Sequence, residues 1–157
     1  MSDQRLILLV EDREDDIALV RKAFDQALLT NPLKVLRDGE EAIAYLAGEG
    51  QYADRREHPL PWLVLLDLKM PRVDGFEVLK WIRGHAELKS LVVIVLTVSD
   101  QVRDVNRAYA LGANSFMVKP SDFENAVRMT RVIHEHWLHF GRVPPPEAGA
   151  QPEARAE

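Results

Sequence analysis

The hydrophobic residues of this chain occur in short continuous runs, and the segments between the runs have helical periodicity. Apolar residues recur at three- and four-residue spacing at Ile17, Val20, Phe24 and Leu28, which predicts an amphipathic helix, and similar patterns follow the later runs. The runs are rich in Leu, Ile and Val and predict buried parallel strands over residues 6–10, 33–36, 62–66, 91–96 and 115–118. Strand and helix alternate five times, so we predict an α/β fold with a five-stranded parallel sheet covered on both faces.

Local signals place several ends of these elements. Asp38 with Glu41 three residues later is typical of a capping box, and Gly112 is typical of the residue that follows a helix. The last helix is predicted over residues 122–139. One connection, residues 50–61, is polar, bounded by proline and longer than usual. We interpret it as a solvated loop, with a loop that contacts a partner as the alternative.

Composition limits the class of protein. The chain has 157 residues, 46% hydrophobic residues, no cysteine and a formal net charge of -5. These values predict one domain with a real core, and they exclude a disulfide scaffold and thiolate metal sites. The acidic balance argues against binding of nucleic acid. No apolar stretch approaches the roughly 20 residues of a membrane span, and the N-terminus lacks a signal peptide, so we expect a cytoplasmic protein.

The composition changes near the C-terminus. From residue 141 the chain is rich in proline and poor in large apolar residues, which predicts a disordered tail over 141–157. The folded domain is then expected over 4–140. This length leaves no room for an effector or DNA-binding domain in the chain given.

Residues with useful chemistry follow the predicted strands. Ligands of open parallel sheets bind beyond the carboxyl ends of the strands, where this sequence places Glu11 and Asp12, Asp67, Thr97 and Lys119. Carboxylates held together repel unless a cation bridges them, and a set of oxygen ligands suits Mg²⁺. The expected substrate is a phosphoryl group, with Lys119 neutralising its charge and Thr97 donating a hydrogen bond. Asp67 ends the central strand and is the expected nucleophile, which would form an acyl phosphate.

Each of these residues has an ordinary structural explanation when taken alone. An acidic pair after a strand is usually a helix cap, a strand-end Asp or Thr is often a turn residue, and Lys119-Pro120 is typical of an exposed turn. Their occurrence at successive strand ends of one α/β pattern favours a shared site.

The sequence resembles the receiver domains of two-component response regulators over about residues 5–140. The segments that carry the resemblance are LILLVED, LVLLDLKMPRVDGFEVL, VIVLTVSD and GANSFMVKP. It implies a flavodoxin-like (βα)5 receiver fold with strand order 2-1-3-4-5.

The resemblance assigns roles to the site residues. Asp67 would accept a phosphoryl group from the phosphohistidine of a sensor histidine kinase. Asp12, Asp67 and the backbone carbonyl of Lys69 would bind Mg²⁺, and Glu11 would act through water. Lys119 would pair with the phosphoryl oxygens.

The resemblance also implies a switch. Thr97 would be the switch hydroxyl, and Phe116 the aromatic side chain that turns inward as Thr97 moves. The peptide bond between Lys119 and Pro120 is expected to be cis, since the preference of an X–Pro bond for trans is only about 0.5–1 kcal/mol.

Two further positions bear on turnover. Lys69 and Ser99 stand two residues after Asp67 and Thr97, at positions that in the resembled family tune hydrolysis of the acyl phosphate. Phosphatases that pass through an aspartyl phosphate typically carry a second Asp where this chain has Lys69, so we expect a phosphorylation switch and not a turnover enzyme. A receiver-like interaction module that is never phosphorylated is the alternative from another class.

A narrower resemblance concerns the partner. The loop 50–61 and the ending VIHEHWLHFG resemble single-domain regulators that work with phytochrome-class sensor kinases. Another stand-alone receiver, of phosphorelay or chemotaxis type, remains the alternative.

The last helix carries two apolar stripes. Phe123, Val127, Thr130, Ile133 and Trp137 should pack on the sheet. Met129, Val132, His136 and Phe140 form a second apolar stripe on a different face, which a one-sided surface helix does not need. This stripe predicts a homodimer contact, unless the chain's own loops cover it. The predicted dimer contacts are Met129, Val132, His136, Trp137, Leu138 and Phe140.

Overall fold

The structure is a computed structural model, and it describes residues 3–146. Five strands alternate with five helices. The strands are β1 Ile7–Val10, β2 Leu33–Leu36, β3 Leu63–Leu66, β4 Val92–Thr97 and β5 Ser115–Val118. The helices are α1 Glu14–Gln26, α2 Gly39–Ala47, α3 Gly75–Arg83, α4 Val102–Ala110 and α5 Phe123–Ile133. A π-helical segment, His134–Phe140, continues α5.

All five strands are parallel, in the order β2-β1-β3-β4-β5, which confirms the predicted topology. β1 lies between β2 and β3, with Leu9 in register with Val35 on one side and Leu65 on the other. The predicted strand ends agree with the structure to within one residue, because fully buried strands are uninterrupted apolar runs that polar residues end sharply.

Helices cover both faces of the sheet. Alternate strand residues point to opposite faces, so Leu8 and Val10 pack with the helices α2, α3 and α4, while Ile7 and Leu9 pack with α1 and α5. The sheet is therefore buried on both sides, and its carboxyl edge stays open for side chains that follow the strands.

The predicted helix ends are present. The Asp38 side chain accepts a hydrogen bond from the backbone N–H of Glu41 at 2.7 Å. The Glu41 carboxylate reaches back to the N–H of Arg37 at 3.3 Å, one residue before the expected partner. Gly112, two residues after α4, has φ +105°, which a side chain would strain.

Most residues of the 50–61 connection are exposed, in agreement with its interpretation as a solvated loop, but a few of them anchor it to the domain. Tyr52 and Leu60 are buried. Arg55 donates hydrogen bonds to the carbonyls of Tyr45 and Leu46 at 2.8 and 2.7 Å, where α2 ends. The Tyr45 hydroxyl donates to the carbonyl of Pro59 at 2.7 Å. Arg55 of the connection satisfies backbone carbonyls of α2, and Tyr45 of α2 satisfies a carbonyl of the connection. The polar sequence did not predict these contacts.

The end of the last helix differs from the prediction at Leu138. Leu138 is 3% exposed and packs with Ile133 in the core beneath α1 and α5, so it is not a dimer contact. Leu138 lies in the π-helical segment, in which hydrogen bonds join residues five apart, and it faces the same core as Ile133. Met129 and Trp137 are half-buried against the same core, whereas Val132 and Phe140 are 53% and 77% exposed.

The boundary of the predicted tail is also wrong. Val143 is buried in the core beneath α1 and α5, so the chain stays packed on the domain beyond residue 140. A single apolar residue among prolines did not suggest burial, because the core residues that cover it belong to distant segments. The rest of the predicted tail, 147–157, lies outside the described residues. Within residues 3–146, no helix has the length and apolar composition needed to cross a membrane.

Replacing Tyr45 with phenylalanine tests whether the 50–61 connection stabilises the domain. The variant loses the buried hydrogen bond to Pro59, and the free energy of unfolding should fall by about 1 kcal/mol in urea denaturation. Tyr109→Phe is the matched control, because Tyr109 is 48% exposed. Equal stability of both variants and the wild type would contradict a structural role for this connection.

Candidate functional site

The ladder of the sheet positions the strand-end residues. The backbone N–H of Asp67 donates to the carbonyl of Val10 at 3.0 Å, and that of Lys119 donates to the carbonyl of Thr97 at 2.8 Å. Each residue therefore continues the parallel pairing one step beyond its strand. The side chains that the sequence placed at strand ends meet at one edge, as predicted.

Three carboxylates lie together at this edge. Glu11, Asp12 and Asp67 each offer an oxygen, and these oxygens lie within 4.8 Å of one another. Glu11 and Asp67 are almost fully buried, and Asp12 is half-buried. The Asp12 Oδ1 atom is buried and has no hydrogen-bond partner among residues 3–146. A buried unpaired carboxylate oxygen beside two other carboxylates fits a divalent cation with hard oxygen ligands.

Lys119 supplies the positive charge. Its ammonium pairs with Glu11, with Asp16 Oδ2 at 2.8 Å and with Asp67 Oδ2 at 3.3 Å, and the side chain is 9% exposed. Asp16 was not predicted. The sequence feature that could have revealed Asp16 is its helical spacing from Val20 and Ala23, which are buried and lie four and seven residues later. This spacing places Asp16 on the inner face of α1.

Burial and neighbouring charges shift two pKa values. Burial raises the pKa of Glu11 to about 7, and the charge of Asp67 adds to the rise while the hydrogen bond from Lys119 opposes it. Burial acts to lower the pKa of Lys119, but hydrogen bonds to Asp16 and Glu11 outweigh it, so that the pKa is raised overall. The ammonium therefore stays charged, and one carboxyl of the cluster is poised to change protonation near neutral pH.

Thr97 completes the site. It is fully buried, and its Oγ1 has no hydrogen-bond partner in the part of the chain described. Phe116 is paired in register with Val95, two residues before Thr97, and packs half-buried on the same face of the sheet. Thr97 and Phe116, which are predicted to act together as a switch, therefore lie on the same face of the sheet. Their movement stays a prediction.

The expected cis peptide bond is wrong. No peptide bond of the described residues is cis, so the bond between Lys119 and Pro120 is trans. Trans is the lower-energy isomer of an X–Pro bond. With this bond trans, the Lys119 ammonium contacts the carboxylates of Glu11, Asp16 and Asp67.

The close approach of α3 fixes the backbone at Asp67. Gly75 donates its N–H to the carbonyl of Leu68 at 3.0 Å. A Cβ atom at Gly75 would lie 2.3 Å from the carbonyl oxygen of Asp67, so only glycine allows this packing. The first turn of α3 therefore supports the loop that carries Asp67.

A second polar cluster borders the site and was not predicted. Asp104, on the first turn of α4, is 7% exposed. Its Oδ2 accepts a hydrogen bond from Ser99 Oγ at 2.6 Å and lies 3.3 Å from Lys69 Nζ. Sequence reasoning singled out Lys69 and Ser99, but the residue that joins them lies on another element and carries no motif.

Comparison with known families gives a match over most of the chain. The family model described as "Response regulator receiver domain" matches residues 7–131. This range contains every strand and all of the strand-end residues named above.

Individual relatives agree with this match. The "Probable methanogenesis regulatory protein FilR2" of Methanothrix harundinacea is 40% identical, with 92% of this chain and 90% of the relative covered. "Response regulator Rcp1" of Synechocystis sp. is 36% identical, with 92% of this chain and 99% of the relative covered.

Solved structures have the same fold. The phosphorylated cyanobacterial phytochrome response regulator RcpA is similar with a TM-score of 0.83 at 35% identity, covering 90% of this chain and 99% of RcpA. The Mn²⁺-bound form of Rcp1 has a TM-score of 0.79 at 36% identity, covering 89% of this chain and 99% of Rcp1. The acidic cluster and this metal-bound relative together support a divalent-cation site here.

The raised pKa of Glu11 predicts a pH dependence of stability in the metal-free protein. Between pH 4.5 and about 7 the folded state binds more protons at Glu11 than the unfolded state does, so the free energy of unfolding falls as pH rises through this range. Glu11→Gln removes this contribution. As pH rises from 4.5 to about 7, the free energy of unfolding of Glu11→Gln should therefore increase relative to that of the wild type by up to about 3 kcal/mol.

Urea denaturation in the presence of a chelator measures this difference at several pH values. Glu87→Gln, at an exposed position, is the matched control and should follow the wild type. A difference between Glu11→Gln and wild type that does not change with pH would refute the raised pKa.

Proposed function

The chain belongs to the response regulator receiver family, and from this premise we propose that Asp67 accepts a phosphoryl group from a sensor histidine kinase. The observation that carries the proposal is the position of the Asp67 carboxylate, 3.3 Å from the Lys119 ammonium and within the cluster formed with Glu11 and Asp12. The protein is accordingly a two-component response regulator, and its partner is a histidine kinase.

The proposed transfer uses the residues of the site in distinct roles. An Asp67 carboxylate oxygen attacks phosphorus, a P–O bond forms, and the P–N bond to the kinase histidine breaks with its electron pair returning to the imidazole ring. Lys119 balances the charge of the phosphoryl oxygens, and the unpaired Thr97 hydroxyl is available to donate to one of them. Positioning and charge, without a further nucleophile, suffice for such a step.

The cation of the site is proposed to be Mg²⁺. Asp12 and Asp67 would hold it, with Glu11 beside them, and the set contains only hard oxygen donors. When bound, it would supply positive charge to the phosphoryl oxygens. The backbone carbonyl of Lys69 stays a predicted ligand from the resemblance.

We further propose that the chain is not a turnover enzyme. The position two residues after Asp67 holds Lys69, which cannot act there as the carboxylic acid/base of a phosphatase. An interaction module that is never phosphorylated is less well supported, because all of the site residues are present and close together. Transfer to Asp67 followed by hydrolysis returns the chain to its starting state.

The proposed kinase is of the phytochrome class and acts in the cytoplasm. This is supported by the similarity to RcpA, named as a phytochrome response regulator, over 90% of this chain. A cytoplasmic location follows from the kinase, which draws its phosphoryl group from cytoplasmic ATP.

The proposed homodimer contact is a smaller patch than the sequence predicted. Val132, His136 and Phe140 are exposed on the outer side of the last helix, and Phe140 is 77% exposed. Met129 and Trp137, both half-buried, border this patch. A second copy related by a twofold axis would cover the apolar side chains of both chains.

Acetyl phosphate with Mg²⁺ tests the proposed phosphorylation. The wild type should acquire one phosphoryl group, seen as a retarded band in a phosphate-affinity gel, and acetate should be released. Asp67→Asn should acquire none, because the amide lacks the nucleophilic carboxylate. Asp100→Asn, an exposed Asp, is the matched control and should behave as wild type. Equal labelling of Asp67→Asn and wild type would exclude Asp67 as the acceptor.

Light scattering at tens of micromolar tests the proposed dimer. The wild type should have twice the mass of one chain, and Phe140→Asp should be monomeric because a charge in the apolar contact is desolvated without a partner. Val102→Asp, at an exposed apolar position on α4, should remain dimeric. A wild type that is monomeric both with and without phosphorylation would refute the dimer.

A further inference from the structure

Helix α4 is joined to the phosphoacceptor loop through Asp104. The Asp104 carboxylate accepts a hydrogen bond from the Ser99 hydroxyl at 2.6 Å and forms a salt bridge with the Lys69 ammonium at 3.3 Å. The backbone N–H of Lys69 meanwhile donates to Asp67 Oδ1 at 3.3 Å. One residue therefore contacts the phosphoacceptor with its backbone and α4 with its side chain.

Two different ammonium groups lie at this edge, and they have different partners. Among the salt bridges of the described residues, Lys119 pairs with Asp67, whereas Lys69 pairs with Asp104. The Lys69 side chain is 53% exposed, and its ammonium also lies 6.0 Å from the centre of the Phe76 ring on α3. Asp104 thus directs a solvent-accessible cation toward α4.

Asp104 is also unusual within its own helix. The buried residues of α4 are Asp104 and Ala108 alone. Val102 and Tyr109, the larger apolar residues, are 73% and 48% exposed. A carboxylate is costly to bury unless it is paired, so the contacts with Ser99 and Lys69 are what allow this helix to seat its first turn against the site.

We propose that Asp104 is a positioning residue that holds the Lys69 ammonium away from the phosphoryl group on Asp67 and thereby shortens the lifetime of the acyl phosphate. The inference rests on the proposed phosphorylation of Asp67. No role was assigned to Asp104 from the sequence, and the family match over residues 7–131 gives this residue no function.

The chemistry affected is hydrolysis. The oxygen of a water molecule attacks phosphorus, the P–O bond to Asp67 breaks, its electron pair returns to the carboxylate, and the proton of the water leaves with inorganic phosphate or solvent. An ammonium freed from Asp104 would pair with the anionic phosphoryl oxygens. That pairing stabilises the acyl phosphate and occupies space through which water approaches.

The experiment measures the lifetime of the acyl phosphate in full-length variants. Each protein is phosphorylated with acetyl phosphate and Mg²⁺, the donor is removed by desalting, and loss of the phosphoryl group is followed in the continued presence of Mg²⁺. The set is wild type, Asp104→Asn, Asp104→Ala, Lys69→Met and the Asp104→Asn/Lys69→Met double variant. Asp100→Asn removes the same charge from the exposed part of the adjoining loop and is the matched control.

We expect hydrolysis to be slower in Asp104→Asn by about threefold or more, which is the lower range for coupling between contacting residues. In the Lys69→Met background the same substitution should change the rate by less than about twofold, because the cation that Asp104 holds is absent. Asp100→Asn should match wild type. If Asp104→Asn slowed hydrolysis by loosening the fold in general, the same slowing would also occur in the Lys69→Met background.

Unchanged or faster hydrolysis in Asp104→Asn, or equal slowing with and without Lys69, overturns the inference. Circular dichroism identifies a variant that does not fold, and Asp104→Ala then replaces Asp104→Asn in the comparison. Failure of the proposed function is seen separately, since the wild type would then not be labelled or Asp67→Asn would be labelled equally.

Discussion

The interaction on which the site depends is the pairing of one buried ammonium with several carboxylates at the edge of a parallel sheet. Lys119 contacts Glu11, Asp16 and Asp67, all at the carboxyl edge. Negative charge exceeds positive charge there, and the Asp12 Oδ1 atom, which no described residue hydrogen-bonds, is available to a divalent cation. The apolar strands beneath hold these charges in place, because the sheet is buried on both faces and cannot relax around them.

The two sides of the site are held differently. Toward α1, charged groups are fixed by short contacts with a side chain that is itself buried. Toward α4, the link is a carboxylate, Asp104, whose partner Lys69 is largely exposed. The first turn of α4 is therefore held by a charged contact, while Ala108 one turn later joins the apolar core. The site of the proposed phosphoryl transfer is thus held by buried contacts on one side and by a partly exposed ion pair on the other.

The sequence-based predictions are accurate where neighbouring residues decide the structure, and they fail where contacts between distant segments decide it. Strands and most helix ends were predictable because uninterrupted apolar runs, an Asp38 cap and a positive-φ Gly112 are local features. The packing of the 50–61 connection was not predictable, because Arg55 satisfies carbonyls of a different element. The burial of Leu138 was not predictable either, because the core residues that cover it come from distant segments of the chain.

The sequence by itself determined the family, the order of the elements and the residues at the strand ends, since parallel strands bring their carboxyl ends to one edge whatever the details of packing. Only the tertiary structure decided which other side chains join them. Asp16 reaches Lys119 through the rotation of α1, and Asp104 meets Lys69 and Ser99 through the seating of α4. Such contacts depend on the angle and position of a helix to within an ångström or so, which periodicity in a sequence does not specify.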